Sequence, residues 1–259
     1  MTVSPRHLAS VFKRPRPDNR GLVAWWTFDN GGNVQADYSG LGNRVVLSGT
    51  VPPVRVRGIV PSPGQPGGAL KFDGSTSKAD VTTTKGLGIT TKSIFCWAYI
   101  PGSLTGGWQT IIQYNRGGAE TYGLWRSGNT GVNWSWRVNG NFAGDFTNTM
   151  VANRWYHIGF TFVGGTSGAV RVYQNGALDS STTATSQTPL VGAACTIGYD
   201  SNGEFYPGLI DDLRIYNRVL SDEEVKALYL SAFQPVEEVE MDVFALSGLT
   251  LNMQQMVMM

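Results

Sequence analysis

The side chains that most often carry out catalysis are few in this chain, and their spacing matches no catalytic motif. The chain has two histidines: His7 lies in a basic N-terminal segment, and His157 lies in a strand pattern where a structural histidine is expected. The sequence contains no G-x-S-x-G motif, no close-spaced Cys/His set and no glycine loop that ends in Lys-Ser/Thr. The hydrolase and nucleotide-binding classes therefore lose their main support.

The carboxylates are not spaced as a glycosidase pair. Glycosidases of the β-sandwich type hold acids at alternate positions of one strand, so that both face the sugar, and the sequence has no E-x-D-x-x-E arrangement. Asp211 and Asp212 are adjacent, so on a strand they point to opposite faces. The run Asp222–Glu224 suits the positive start of a helix. We therefore predict that the protein is not an enzyme.

The alternative to a catalytic site is a glycan-binding site. Aromatic and polar side chains in loop-rich segments are the candidates for it. Flat aromatic rings pack on sugar rings, while Asn, Asp and Arg hold the hydroxyl groups by hydrogen bonds. Each of these residues also fits a packing role in the core, and the sequence leaves the two roles open. The candidate glycan-binding residues are Trp108, Tyr114, Arg116, Trp125, Arg126 and Phe142.

The composition is that of an all-β protein. The formal net charge is +1 and 15% of the residues are charged, which argues against a nucleic-acid or membrane-surface partner. No segment is apolar and long enough to cross a bilayer. In Val132–Val138 the apolar residues alternate with Asn133, Ser135 and Arg137, so we expect Trp134 and Trp136 in the core and the polar residues on a wet face.

Short strands recur along the chain and indicate a sandwich or a barrel. Asn175 and Gly176 predict a tight hairpin, and the capping box of Ser221 and Glu224 predicts one short helix with Val225, Leu228 and Tyr229 on its buried face. The Pro- and Gly-rich segment Val51–Gly68 is expected to be a long loop with little regular structure. The strands from position 93 onward are predicted at Ser93–Ile100, Trp108–Tyr114, Tyr122–Arg126, Val132–Val138, Trp155–Val163, Val170–Gln174, Cys195–Tyr199 and Leu209–Tyr216.

Several segments together resemble laminin-G-like jelly-roll domains of the concanavalin A-like lectin/glucanase superfamily. They are Gly21–Asp29, Asp37–Asn43, Gly68–Gly74, Arg154–Phe162 with Val172–Gly176, and Phe205–Ser221. The resemblance implies a two-sheet antiparallel jelly-roll sandwich whose first and last strands are adjacent, with a short C-terminal cover helix. It also implies a concave face or loop rim that binds glycans or proteins.

Many members of that family hold a structural calcium, and the resemblance implies Asp73 and Asp212 as ligands, with Asp37 as a weaker candidate. Calcium prefers several hard oxygen ligands, which carboxylates and loop carbonyls supply. The alternative is that Asp73 caps its own turn and Asp212 forms a salt bridge with Arg214 or Arg218. Cys96 and Cys195 likewise allow either a disulfide or two buried free thiols.

The sequence divides into a basic N-terminal arm at residues 1–20, a sandwich at 21–232 and an acidic, then apolar, tail at 233–259. We expect the arm and the tail to act in assembly, docking on a capsid or on sister subunits. The residues expected to carry this role are Arg14, Arg16, Phe244, Leu246, Leu249, Leu251 and Met253.

The functional prediction follows from the absence of a recognisable export signal beside these two ends. It is a non-catalytic virion component, such as a capsid decoration, cement or fibre-type protein of a phage or virus, made in the host cytoplasm. Its sandwich is expected to bind a polysaccharide or a host-surface glycan. The alternatives are a carbohydrate-binding module of a bacterial extracellular or surface protein, and a structural or adhesion block with no glycan site.

Overall fold

The computed structural model describes residues 18–60, 67–102, 107–115, 122–128, 132–138, 142–185 and 191–233. These residues form sixteen strands and one α-helix. The strands are β1 (Leu22–Trp26), β2 (Val34–Gln35), β3 (Val45–Ser48), β4 (Val54–Arg57), β5 (Gly68–Lys71), β6 (Lys78–Val81), β7 (Lys92–Tyr99), β8 (Gln109–Tyr114), β9 (Tyr122–Arg126), β10 (Trp134–Val138), β11 (Phe142–Asp145), β12 (Trp155–Phe162), β13 (Gly168–Gln174), β14 (Ala177–Ala184), β15 (Cys195–Ile197) and β16 (Leu209–Tyr216). The helix is α1 (Asp222–Ser231).

The strands form two antiparallel sheets. Sheet A has the order β14-β13-β12-β7-β16-β5-β4, with β1 also paired to β16, and sheet B has the order β11-β10-β9-β8-β15-β6-β3-β2. The first and last strands are adjacent, because Trp26 pairs with Leu213 and Trp25 with Arg214. The predicted all-β, two-sheet antiparallel sandwich with one short C-terminal helix is confirmed.

The core lies between the two sheets and follows the alternation of each strand. In β10, Trp134 and Trp136 point into the core cluster, as predicted, and in β7 the same is true of Ile94, Cys96 and Ala98. Both cysteines are buried and free, and burial raises the pKa of each thiol. Buried free thiols, rather than a disulfide, are therefore the correct alternative.

Helix α1 covers part of the outer face of sheet A. Ser221 accepts a hydrogen bond from the backbone N–H of Glu224, and the Glu224 carboxylate accepts one from the Ser221 backbone, so the predicted capping box is confirmed. Val225 and Leu228 pack on Phe95, Tyr173 and Tyr216 in a second apolar cluster. Among the described residues no helix is both long and apolar enough to cross a membrane.

Two predictions about local structure are wrong. Asn133 and Ser135, expected on a wet face, are buried. Val54–Arg57, inside the segment expected to be an irregular loop, is strand β4, and it pairs with β5 from Val54 opposite Lys71 to Arg57 opposite Gly68. The sequence V-R-V-R has the period of a strand, and Pro52 and Pro53 precede it without interrupting the ladder. The predicted hairpin is confirmed, because Asn175 and Gly176, with φ of 53° and 75°, join β13 to β14.

Candidate functional site

The outer face of sheet B carries a row of polar side chains beside a tryptophan. Thr110 of β8 pairs with Trp125 of β9, Trp125 with Ser135 of β10, and Ser135 with Asp145 of β11. Their neighbours Leu124 and Trp136 belong to the core. Since successive side chains of a strand point to opposite faces, this row lies on the side of the sheet away from the core.

A second row crosses the same face one step further along the strands. It runs from Asp80 of β6 through Thr196 of β15, Gln113 of β8 and Gly123 of β9 to Arg137 of β10. At Gly123, between Gln113 and Arg137, the backbone of the neighbouring strand β8 approaches closely, and a Cβ there would lie 2.0 Å from the Ile112 carbonyl oxygen. Only glycine is therefore compatible with this position.

Three polar atoms in these two rows lack hydrogen-bond partners within the described part of the chain: Thr110 Oγ1, Gln113 Oε1 and Trp125 Nε1. Buried polar groups are nearly always bonded, so each exception asks for an explanation. The Arg137 guanidinium lies 5.3 Å from the centre of the Trp125 ring. Arg137 and Asp145 are half-buried, so a ligand can reach them, whereas the three unpaired atoms are buried.

The edge of this face carries an aromatic pair that was not predicted from the sequence. Tyr199 and Phe205, both half-buried, stack with ring centres 6.0 Å apart. The Tyr199 hydroxyl donates to Asp80, and Lys78 Nζ lies 5.2 Å from the Tyr199 ring centre. Burial and the Asp80 carboxylate raise the pKa of Tyr199, so its phenol stays a hydrogen-bond donor. A loop separates Tyr199 from Phe205 along the chain, and no local sequence pattern predicts that their rings stack.

The structure places the predicted glycan-binding residues in different surroundings. Trp125 lies on the outer face of sheet B, whereas Tyr114 is in the core, where it stacks on Tyr122 at 4.9 Å. Arg126 is buried and donates to Gln109 Oε1 at 2.5 Å and to the Gly107 carbonyl at 3.1 Å. These contacts place Tyr114 and Arg126 outside the face, and their side chains serve packing and anchoring.

The remaining candidates lie at the margins of the face or outside the described residues. Trp108 is half-buried and packs against Gly128 beside the start of β8. Phe142 begins β11, and its backbone pairs with Val138. Arg116 lies outside the described residues, as do the predicted assembly residues Arg14, Arg16, Phe244, Leu246, Leu249, Leu251 and Met253.

The three carboxylates expected to bind calcium are each used by other groups. Asp73 accepts hydrogen bonds from the backbone N–H groups of Ser75, Thr76 and Ser77. Although its partial burial acts in the opposite direction, these bonds lower the pKa of Asp73. These hydrogen bonds are those of a turn cap, the alternative left open above.

The other two carboxylates flank Trp25. Asp212 accepts from Trp25 Nε1 at 2.6 Å and pairs with Arg214 at 3.0 Å, while Asp37 accepts from the backbone N–H of Trp25 at 3.0 Å and from that of Asn43 at 2.8 Å. No group of three or more metal-binding side chains occurs among the described residues. The three side chains do not fit one calcium-binding group, and calcium binding itself stays a prediction.

His157 has the surroundings of a structural histidine. It lies between Phe95, stacked at 5.5 Å, and Trp97, at 5.3 Å, beneath α1. Burial, and then the charge of Arg214, lower the pKa of His157 to about 3. The ring is therefore neutral at physiological pH and faces the helix rather than an open cleft.

Comparison with known proteins agrees with this architecture. Domain 4 of an extracellular arabinanase from Geobacillus stearothermophilus, in complex with arabinotriose, superposes with a TM-score of 0.64 at 22% identity, covering 80% of this chain and 98% of that one. A Trypanosoma rangeli sialidase in complex with sialic acid gives 0.62 at 18%, covering 84% and 34%. The botulinum neurotoxin serotype D/C binding domain gives 0.60 at 17%, covering 83% and 53%.

These identities support likeness of fold alone, and the chain spans about a third of the sialidase. No curated protein sequence matches the chain significantly. A laminin G-type family model, described as the concanavalin A-like lectin/glucanases superfamily, matches residues 73–226, which is more than half of the chain. The predicted resemblance is thereby confirmed, and the protein belongs to the concanavalin A-like lectin/glucanases superfamily.

Proposed function

We propose that the protein is a non-catalytic carbohydrate-binding module whose site is the outer face of sheet B. The observation that carries the proposal is a pair of half-buried charged side chains, Arg137 and Asp145, beside three buried polar atoms that lack hydrogen-bond partners among the described residues. Thr110, Gln113 and Trp125 each hold one of these buried atoms. Sugar hydroxyls donate and accept hydrogen bonds at once, so they are suited to complete such a set.

The individual groups have complementary tasks. Arg137 supplies a planar fork of donors, stacked on Trp125, which suits neighbouring hydroxyls of one sugar. Asp145 accepts from Ser127 at 2.9 Å and has acceptor capacity to spare for a ligand hydroxyl. At the other end, Tyr199 and Phe205 offer ring surface.

Asp80 and Asp145, the acids that strand register places in the two rows, are too far apart to form a glycosidase pair. Asp80 is on β6 and Asp145 on β11, and five strand spacings separate them in sheet B. At about 4.8 Å per spacing this amounts to about 24 Å, whereas paired carboxylates of glycosidases stand about 5 to 10 Å apart. The separation supports a binding role. The arabinotriose complex of the similar arabinanase domain supports a sugar ligand.

The test is binding of the purified chain to insoluble plant and bacterial polysaccharides, compared with an Arg137→Ala variant and an outer-surface control, Leu178→Ala on sheet A. Loss of one charge-assisted hydrogen-bonding group predicts about tenfold weaker binding for Arg137→Ala, with the control unchanged. If Arg137→Ala binds every retained polysaccharide as well as the original chain, the outer face of sheet B is not the site.

The more specific hypothesis of a virion component rests on the arm and the tail. Apart from residues 18–20 and 233, both segments lie outside the described residues, so this role and its location stay predictions. Light scattering of the full chain beside residues 21–232 tests them. A defined oligomer formed only by the full chain favours assembly through the ends. Two monomers favour the alternative, an independent extracellular module.

A further inference from the structure

The outer face of sheet A carries another row of partly exposed side chains, on the opposite side of the sandwich. Register places Lys71 of β5 opposite Leu209 of β16, Leu209 opposite Tyr99 of β7, and Tyr99 opposite Trp155 of β12. Ala98 and Ile100 point into the core, so this row points outward. We call Lys71, Leu209, Tyr99 and Trp155 the sheet A shelf.

Helix α1 leaves this shelf open. The helix ends at Ser231, and its Tyr229, with the following Phe233, packs on Trp97, which belongs to the neighbouring row. Lys71 is exposed, whereas Leu209, Tyr99 and Trp155 are half-buried. Leu209, Tyr99 and Trp155 are thus partly accessible beside the Lys71 cation. The adjoining row is shielded by Tyr229 and Phe233.

The aromatic end of the shelf is held in a defined shape. Tyr99 and Trp155 have ring centres 5.5 Å apart and planes inclined by 49°, which forms an open angle between the rings. Asn153 Oδ1 accepts from the Gly102 backbone at 2.9 Å and from the Tyr99 hydroxyl at 3.4 Å. A preset aromatic surface loses little side-chain entropy when a sugar ring packs on it.

The charge around the shelf is positive. Lys71 and Arg154, the residue before Trp155, are exposed, and no acidic side chain is part of the shelf. The acid nearest along the chain to Lys71 is Asp73, whose carboxylate is committed to its own turn. In the neighbouring row Asp211 is buried and accepts from the backbone N–H groups of Ile59 and Val60. A ligand that matches this surface has a ring to stack and a negative group.

We propose that the sheet A shelf is a second carbohydrate site, specific for a sugar that bears a carboxylate. The ring of one uronic acid packs against the surface formed by the Tyr99 and Trp155 rings, and Lys71, two strand spacings from Tyr99, binds the carboxylate of a neighbouring unit. This site shares no residue with the outer face of sheet B, so the two proposals can be tested independently.

The experiment is calorimetric titration of the full chain with a short oligogalacturonate and with its methyl ester, which differ in charge at the same positions. We expect the acid to bind about fivefold tighter than the ester at low salt. Lys71→Gln, an exposed substitution that leaves packing intact, removes that preference. Trp155→Ala weakens binding of both ligands about tenfold. Trp155→Phe restores most of the loss, which separates a stacking role from misfolding.

Leu178→Ala, at an exposed position of β14 outside both proposed sites, is the matched control, and we expect it to bind oligogalacturonate as the original chain does. Arg137→Ala reports whether the ligand occupies sheet B. Equal affinity for acid and ester, or unchanged binding by Trp155→Ala and Lys71→Gln, overturns the proposal. If Arg137→Ala instead abolishes oligogalacturonate binding, the ligand occupies sheet B, and the shelf proposal fails while the proposed function stands. No binding of either form also overturns the shelf, because the polysaccharide test on sheet B is independent of it.

Discussion

Replacement of Asp212 distinguishes an ion-pair role from a calcium-binding role for this residue. The Asp212 carboxylate is 3% exposed and its partner Arg214 is 5% exposed, with 3.0 Å between them. Asp212→Asn preserves the shape and the acceptor for Trp25 Nε1 but leaves the Arg214 charge buried without its counter-ion. Breaking a buried pair from one side costs about 3 to 5 kcal/mol. Because the Trp25 bond survives, we expect a loss near 3 kcal/mol.

The assay is urea unfolding followed by tryptophan fluorescence, in EDTA and again with excess calcium. The ion-pair account predicts the same loss of unfolding free energy in both conditions. A double variant, Asp212→Asn with Arg214→Met, removes both charges and is expected to be more stable than Asp212→Asn alone. The recovery is incomplete, because the Arg214 guanidinium also lies 4.3 Å from the Trp25 ring centre.

Two results refute this reasoning. A loss below about 1 kcal/mol in EDTA means that the pair contributes no more than a surface ion pair does. A loss that occurs only with calcium present means that Asp212 is a calcium ligand, as the family resemblance implied, and that its contact with Arg214 is secondary.

Three further predictions concern stability. His157 has a pKa of about 3 in the folded chain against about 6.5 when unfolded, so the unfolded state binds more protons between these values, and stability falls as pH drops from about 6.5 towards 3. His157→Phe is expected to flatten this dependence, by up to about 1.4 kcal/mol per pH unit in urea titrations; an unchanged slope contradicts the assignment. Ser221→Ala removes the cap of α1, which should cost about 1 kcal/mol in the same assay, whereas Ser221→Asp should cost little. Gly176→Ala should lower the melting temperature, since φ is 75° and the new Cβ would lie 2.8 Å from Tyr229 Cβ; an equal or higher melting temperature refutes this account of the hairpin.

The local sequence determined those elements that are specified by patterns only a few residues long. Alternation in β10 placed Trp134 and Trp136 inside the sandwich and Arg137 outside it, and the Ser221 capping box located α1. These patterns act over a few residues, through the pleat of a strand or the first turn of a helix. Strand β4 was not predicted, because its V-R-V-R alternation spans only four residues within a segment rich in Pro and Gly.

The sites required the tertiary structure. Trp125 was a candidate from the sequence, but Gln113, Arg137 and Tyr199 join it only through the pairing of β8, β9, β10 and β15. The Tyr114 side chain points into the core, whereas the Trp125 side chain points away from it. A shift of one residue in register would exchange these two orientations. The sheet A shelf likewise assembles residues 71, 99, 155 and 209 from four strands. Register between distant strands depends on the packing of the whole core, and no local pattern specifies it.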